Sequence, residues 1–296
     1  STIQEKQSGG TGADGTDESN GSVKYYTKDY ISEEMVGDIR GMWPLSANGA
    51  ISMSDASVKA ITLTNNNSVT ATSGVRGAAA NFGAANTNKS LSTTSALGID
   101  GGSITESAWV NISTAPTTGE LQTVMSQNSN TSDISYNIWY RNVSGTLKLT
   151  FNRGRNGVAN DTIDYTTTLI PGTFYYVTLT YDGTNLRGYL NGSLVTGPTA
   201  YSGNGSDTRP DGFSIGMLDN STLYFSGSID EPFVTATALT AGQIKHMYEV
   251  GYRALQSHAT TLGGGAADAN QQLGYISTGT NTVGAVGVDY NNQFMY

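Results

Sequence analysis

The sequence predicts an all-β protein: a two-sheet antiparallel jelly-roll sandwich carrying one short C-terminal helix. Three observations lead there. Short segments in which apolar and polar residues alternate recur from residue 41 to residue 251, the pattern of half-buried strands. Turn signals separate them closely, as in Asp182-Gly183 and Asn191-Gly192. A convincing helical pattern comes only at the end of that span.

The strands can be taken in order. In "ESAWVNI" (106–112), Ser107, Trp109 and Asn111 share a face. In "DISYNIWYR" (133–141), Ile134, Tyr136, Ile138 and Tyr140 alternate with Ser135, Asn137, Trp139 and Arg141. "TLKLTF" (146–151) sets Leu147, Leu149 and Phe151 against Thr146, Lys148 and Thr150. In "GTFYYVTLTYDGTNLRGYLNGSLV" (172–195), Val177, Leu179 and Tyr181 alternate with Phe174, Tyr176 and Thr178. Its two turn signals fold it as strand, turn, strand, turn, strand. Many short strands at this spacing indicate a sandwich or jelly roll. The helix is "TAGQIKHMYEVG" (240–251). Thr240 and Gln243 form a capping box, Ile244, Met247 and Tyr248 form one apolar stripe, and Gly251 is expected to end it.

The ends have a different character. Residues 1–24 are Gly, Ser, Thr, Asp and Asn with few apolar side chains, a flexible tail. Residues 25–40 read as a short helical or docking segment: Ser32 can cap a helix, and Tyr25, Tyr26, Tyr30, Ile31 and Met35 need burial. Residues 252–296 form a Gly-rich extension whose end, "TVGAVGVDYNNQFMY", reads as a β-hairpin and an assembly segment or the start of a further domain.

Composition narrows the function. Of the 296 residues, 37% are hydrophobic, enough for a large core, and 13% are charged, about half the usual share of about 25%. Gly, Ser, Thr and Asn replace the missing charge, which suits an extracellular or virion-surface β protein. A net charge of −9 with no Lys/Arg cluster denser than Arg153-Gly-Arg155 argues against a nucleic-acid partner. The absence of Cys excludes disulfides and thiolate chemistry and tilts the source toward a bacterium or a phage. No apolar run approaches the ~20 residues of a membrane-spanning helix.

The order of motifs resembles the laminin-G-like, or concanavalin-A-like, jelly-roll family over roughly residues 40–251. Trp43-Pro44-Leu45 is similar to its opening strand, "GVRGAAANFG" (74–83) to its Gly-x-x-Gly-x-Ala stretch, and "SITESAWV" (103–110) to its next strand. "GTFYYVTLTYDGTNLRGYLNG" resembles its most recognisable piece. "FSIG" (213–216), "YFSGSIDEPFV" (224–234) and "LTAGQIKHMY" (239–248) follow in family order. Two positions depart from the pattern. Phe82 is followed by Gly83-Ala84-Ala85 where the family often has Asp, and Pro232 follows Asp230-Glu231, which predicts an edge or ending strand because Pro lacks an amide donor. The tail "MYEVGYRALQSHATT" with the final hairpin also resembles extensions of such domains in phage virion proteins.

The resemblance includes glucanases, so catalysis is weighed first. A retaining glycosidase needs two carboxyl groups about 5–5.5 Å apart, which on a strand means a spacing of two. Asp230 and Glu231 are adjacent and diverge, while Asp161 and Asp164 lie in a region that reads as a turn. The two His, His246 and His258, belong to no nucleophile motif. The expectation is no enzyme. The resemblance implies a structural Ca²⁺ with Asp230 as its first candidate ligand. Asp182 is explained better as a turn residue. For glycan binding, Asn137, Trp139, Arg141, Arg187 and Tyr189 are expected to share one outward platform.

The reading is a non-enzymatic surface module, a phage virion structural, decoration or fibre protein with a laminin-G-like domain for adhesion or glycan binding. Its partners are neighbouring subunits or virion proteins through the terminal segments, and cell-surface glycans. Two alternatives stay open: a carbohydrate-binding domain of a secreted bacterial protein, and a purely structural filament or capsid subunit without ligand.

Overall fold

The computed structural model describes residues 37–47, 50–84, 87–99, 102–130, 133–155, 158–201, 212–218 and 223–259, with 287–288 and 294–295. The tail 1–24 and most of the docking segment 25–40 lie outside the described residues. Ile39 and Arg40, assigned to that segment from sequence, are strand residues here.

The fold is the expected antiparallel sandwich. One sheet has eight strands. Across it run β15 (Ser193–Ala200), β14 (Asn185–Leu190), β13 (Phe174–Tyr181), β8 (Ile104–Ile112), β17 (Gly227–Thr235), β6 (Ala78–Gly83) and β5 (Thr70–Ser73), and β1 (Ile39–Met42) also pairs with β17. The other sheet has seven: β12 (Val158–Thr166), β11 (Thr146–Arg155), β10 (Asp133–Val143), β9 (Leu121–Asn130), β16 (Phe213–Ile215), β7 (Ser90–Thr93) and β4 (Thr64–Asn66). A small ladder joins β2 (Ser46–Ala47) to β3 (Ala50–Ile51). Chain neighbours β13 and β14 pair directly, as do β9, β10, β11 and β12, so short turns do much of the work. Connections between sheets range from the short 67–69 turn between β4 and β5 to longer loops such as the one from β7 to β8.

Alternation turns one side of each strand inward. Tyr136, Ile138 and Tyr140 of β10, Leu149 and Phe151 of β11, Val177 and Leu179 of β13, and Ala108 and Val110 of β8 are all buried in one core. Each large apolar side chain so buried contributes about 1.5–3 kcal/mol. The sheets approach closely at Gly188 of β14, where a Cβ would stand 2.2 Å from the Phe151 ring. The Asn191-Gly192 turn has φ of 50° and 76°, the two left-handed residues that a tight hairpin requires.

Pro232 corrects one expectation. It stands in β17, an interior strand, because β17 changes partners there. Gly227–Ile229 pair with β6, and Phe233–Thr235 pair with β1. The register against β8 shifts between Asp230 and Phe233, and Glu231 takes φ 50°. The bulge removes the need for an amide donor at Pro232, whose carbonyl accepts Trp43 N–H at 3.0 Å.

The helix α1 (Ala241–Ala259) begins as predicted and ends later. Gln243 N–H donates to Thr240 Oγ1 at 3.3 Å and Thr240 N–H to Gln243 Oε1 at 2.8 Å, a reciprocal cap. Gly251 does not end it. A Cβ there would lie 2.6 Å from the Trp109 indole, so this glycine admits the aromatic ring and the helix continues. Trp109 stacks on Tyr248 with centroids 5.6 Å apart and packs on Tyr176 at 5.1 Å. Since Ala108 and Val110 face the core, the helix covers the outer side of the eight-stranded sheet.

Residues 252–296 form a separate compact unit. In it β18 (Gly287–Val288) pairs antiparallel with β19 (Phe294–Met295). No described helix is long and apolar enough to cross a membrane.

Candidate functional site

The polar faces of β9 to β12 form a lattice on the outer side of the seven-stranded sheet. Antiparallel register sets its rows. Arg141 of β10 stands opposite Lys148 of β11, Trp139 opposite Thr150, and Asn137 opposite Asn152. Across the next ladder, Thr150 meets Asp164 of β12 and Asn152 meets Thr162. On the other flank Trp139 meets Thr123 of β9 and Asn137 meets Ser126.

The lattice has a buried floor and a partly open rim. Asn137, Thr150, Asn152 and Thr123 are each 0% exposed. Trp139, Arg141, Lys148 and Asp164 are half-buried. With the Asn137 amide oriented to satisfy its neighbours, the Trp139 indole Nε1 donates to the Asn137 oxygen at 3.2 Å, and the amide nitrogen donates to Ser126 Oγ at 3.1 Å and to the Tyr136 carbonyl. Thr162 Oγ1 donates to Asn152 Oδ1 at 2.7 Å. The Asn137 bond ties the indole to the floor.

Asp164 ties the rim together. It accepts from Arg141 Nη2 at 3.0 Å through both oxygens, from Lys148 Nζ at 3.2 Å, and from Thr150 Oγ1 at 2.8 Å. Burial raises its carboxyl, but the Thr150 and Arg141 hydrogen bonds, the Arg141 charge and the Lys148 bond outweigh that and hold it below the ordinary carboxylate range. An aromatic ring beside fixed charged donors and acceptors is the equipment for holding a hydroxyl-rich ligand with an apolar ring face.

The five residues expected to share a platform do not. Asn137, Trp139 and Arg141 lie on one face, although Asn137 is floor rather than contact surface. Arg187 and Tyr189 lie on β14, in the other sheet, on the side opposite core residue Leu186. Arg187 is engaged with Asp182 Oδ2 at 2.6 Å, and Tyr189 is only 3% exposed. The period of a strand assigns faces but cannot assign sheets, which is why the two groups were merged. Lys148, Thr150 and Asp164 were missed. Alternation had already turned Lys148 and Thr150 outward; Asp164 was hidden because its segment reads as a turn, whereas it is strand β12.

Asp182 does what its turn predicts. Its Oδ1 accepts Thr184 N–H at 2.9 Å and Asn185 N–H at 2.7 Å. Burial raises its carboxyl; the Asn185 amide, Arg187 and the Thr184 amide overcome this and lower it to about 2.

Asp230 faces amide donors. Its Oδ2 accepts Val75 N–H at 2.7 Å and Arg76 N–H at 3.2 Å, and its Oδ1 accepts Glu231 N–H at 2.9 Å. A carboxylate ringed by N–H groups is poorly disposed toward a cation, because each donor dipole presents its positive end. Among the described residues no group of three or more His, Cys, Asp or Glu could hold a metal ion. These residues therefore do not fit a Ca²⁺ site at Asp230. Asp161 and Asp164 point to opposite sides of β12: Asp161 is buried against Arg153 at 2.8 Å, and Asp164 is on the outer lattice.

With this geometry in hand, the chain can be placed among known proteins. Residues 84–245 match the laminin-G model of the concanavalin A-like lectin/glucanases superfamily. The chain belongs to that family. Its solved neighbours include the binding domain of Paraclostridial mosquitocidal protein 1, with TM-score 0.58 and 13% identity over 72% of this chain and 52% of that one. The binding domain of botulinum neurotoxin DC in complex with SialylT is similar at TM-score 0.57 and 13% identity, over 72% and 52%. Domain 4 of AbnA, a GH43 extracellular arabinanase from Geobacillus stearothermophilus, in complex with arabinotriose, is similar at TM-score 0.51 and 18% identity, over 71% of this chain and 98% of that one. The match spans about half of each toxin domain. A comparison with curated proteins finds no match.

Proposed function

We propose that this chain is a non-enzymatic surface module that binds glycans on the outer face of the seven-stranded sheet, displayed outside the cell, on a phage particle or fibre. The observation that carries the reading is Trp139. It is a half-buried indole held over a buried polar floor through Asn137, with Arg141, Lys148 and Asp164 beside it. Sugar rings present C–H faces that stack on an indole, and their hydroxyls need donors and acceptors already in place. The similarity to a domain seen with arabinotriose and to toxin binding domains supports the same reading.

The absence of catalysis is part of the proposal. Asp230 is occupied by backbone amides, and Asp161 and Asp164 diverge. The test is a glycan array with the intact chain and Trp139→Ala. Binding that Trp139→Ala abolishes while melting temperature holds is the expected result. An array on which the intact chain binds nothing, or on which Trp139→Ala changes nothing, overturns it.

A further inference from the structure

We infer that the ligand of this face carries a carboxylate, as in a sialic or uronic acid, held by Arg141 and Lys148. This rests on the glycan-binding reading above and narrows it. The chain as a whole carries a charge of −9, yet this rim is locally cationic. Two cations, Arg141 and Lys148, share a single carboxylate, Asp164, which leaves one positive charge in excess. The next carboxylate, Glu120 just before β9, keeps its charge but folds back on its own turn, accepts Thr117 N–H at 2.8 Å and forms no ion pair with either cation among the described residues.

The use of the guanidinium points the same way. Asp164 is bound through Nη2 alone, at 3.0 Å to each oxygen. Arg141 Nε is buried and meets no acceptor, so the second bond of a fork to Asp164 is not made and any bond to a ligand falls to the terminal nitrogens. An arginine whose only task were to hold Asp164 would present two parallel N–H groups to it, the geometry that makes guanidinium–carboxylate pairs strong. Here Asp164 instead anchors the fork from one end, and holds Lys148 next to it. The Arg141–Lys148 row lies two residues, about 7 Å, from the Trp139–Thr150 row along the same strand pair. A sugar stacked on Trp139 can therefore extend a ring substituent over both cations.

The test compares oligosaccharides that differ in carboxylates: 3′-sialyllactose against lactose, and a galacturonate trimer against galactotriose. Titration calorimetry at low salt reads the affinity ratio within each pair. The expected ratio is about tenfold or more in favour of the acid for at least one pair, and which pair responds separates the sialic from the uronic source. The ratio should shrink as salt rises and should fall toward unity in Arg141→Gln and in Lys148→Gln. Arg141→Lys should keep part of it, which separates charge from fork geometry. Near-ultraviolet circular dichroism checks that each variant is folded. Acid and neutral members bound equally, with Trp139→Ala abolishing both, overturn the inference and leave the glycan reading standing. No binding to any of the four, together with a blank array, removes both.

Discussion

Asp230 Oδ2 lies 2.4 Å from the point where a Cβ on Gly74 would stand. The two residues are far apart in sequence but form one joint. Asp230 collects the Val75 and Arg76 amides, and Gly74 N–H closes the same turn on the Gly77 carbonyl at 2.9 Å. The turn between β5 and β6 is thereby fastened to the bulge at which β17 changes partners. Removing the carboxylate in Asp230→Ala leaves buried N–H groups without acceptors and should cost on the order of 3 kcal/mol. Gly74→Ala should cost about 1–3 kcal/mol through overpacking against Asp230 and the Ala79 amide. Urea unfolding of both variants measures this. Millimolar Ca²⁺ should leave the melting temperature of the intact chain unchanged.

A second prediction concerns pH. Glu106 stands on the core side of β8, opposite Leu179 and Val234, fully buried, and neither carboxyl oxygen finds a donor. Tyr136, flanked by Arg153 and Tyr181, is the titratable neighbour across the core. Burial pushes the Glu106 carboxyl from 4.5 up to about 8. Below pH 4.5 both folded and unfolded chains hold the proton. Between 4.5 and 8 the unfolded chain releases it and the folded chain keeps it, so stability falls as pH rises, by at most about 1.4 kcal/mol per unit. Burial raises Asp230 and Glu231 as well, which acts in the same direction. Melting temperature should drop from pH 5 to pH 8, and Glu106→Gln should flatten that slope. An unchanged slope in the variant would contradict the assignment.

The Gly251–Trp109 contact gives a third. Gly251→Val places methyl groups into the indole, whose nearest atom is 2.6 Å from the Cβ position. The helix should lift, at a cost of about 1–3 kcal/mol. Of the three tryptophans, Trp43 and Trp109 are 0% exposed and Trp139 is half-buried. Acrylamide should therefore quench one tryptophan readily in the intact chain and two in the variant.

The helix start gives a fourth. Thr240→Ala removes the side-chain acceptor of the Gln243 N–H and should lower stability by about 1 kcal/mol. Thr240→Ser should retain most of it, and chemical denaturation of the pair decides.

The sequence disclosed faces better than neighbours. Alternation turned Tyr136, Ile138 and Tyr140 inward and Trp139 and Arg141 outward, and those assignments follow from the pleat alone. Which strand lies next to which depends on closure over long loops, so Tyr189 was grouped with Trp139 although they belong to different sheets. Asp161 and Asp164 disfavour strands by local propensity. Their cross-strand partners, Arg153 for one and Lys148 and Thr150 for the other, outweigh that preference. Glycine usually stops a helix, yet Gly251 continues one. Its reason for being there is a ring from β8 that sequence distance concealed.

The position of α1 has a consequence for how copies of this module can work together. One broad side of the sandwich is padded by Ile244, Met247 and Tyr248, so Trp139 looks out from the other. The module is directional. Weak sites gain strength when several engage at once, and if the proposed face is used in that way, every copy in an array would have to be seated with its padded side down. Orientation on the carrier, as much as the chemistry of any one site, would then set how firmly an array grips.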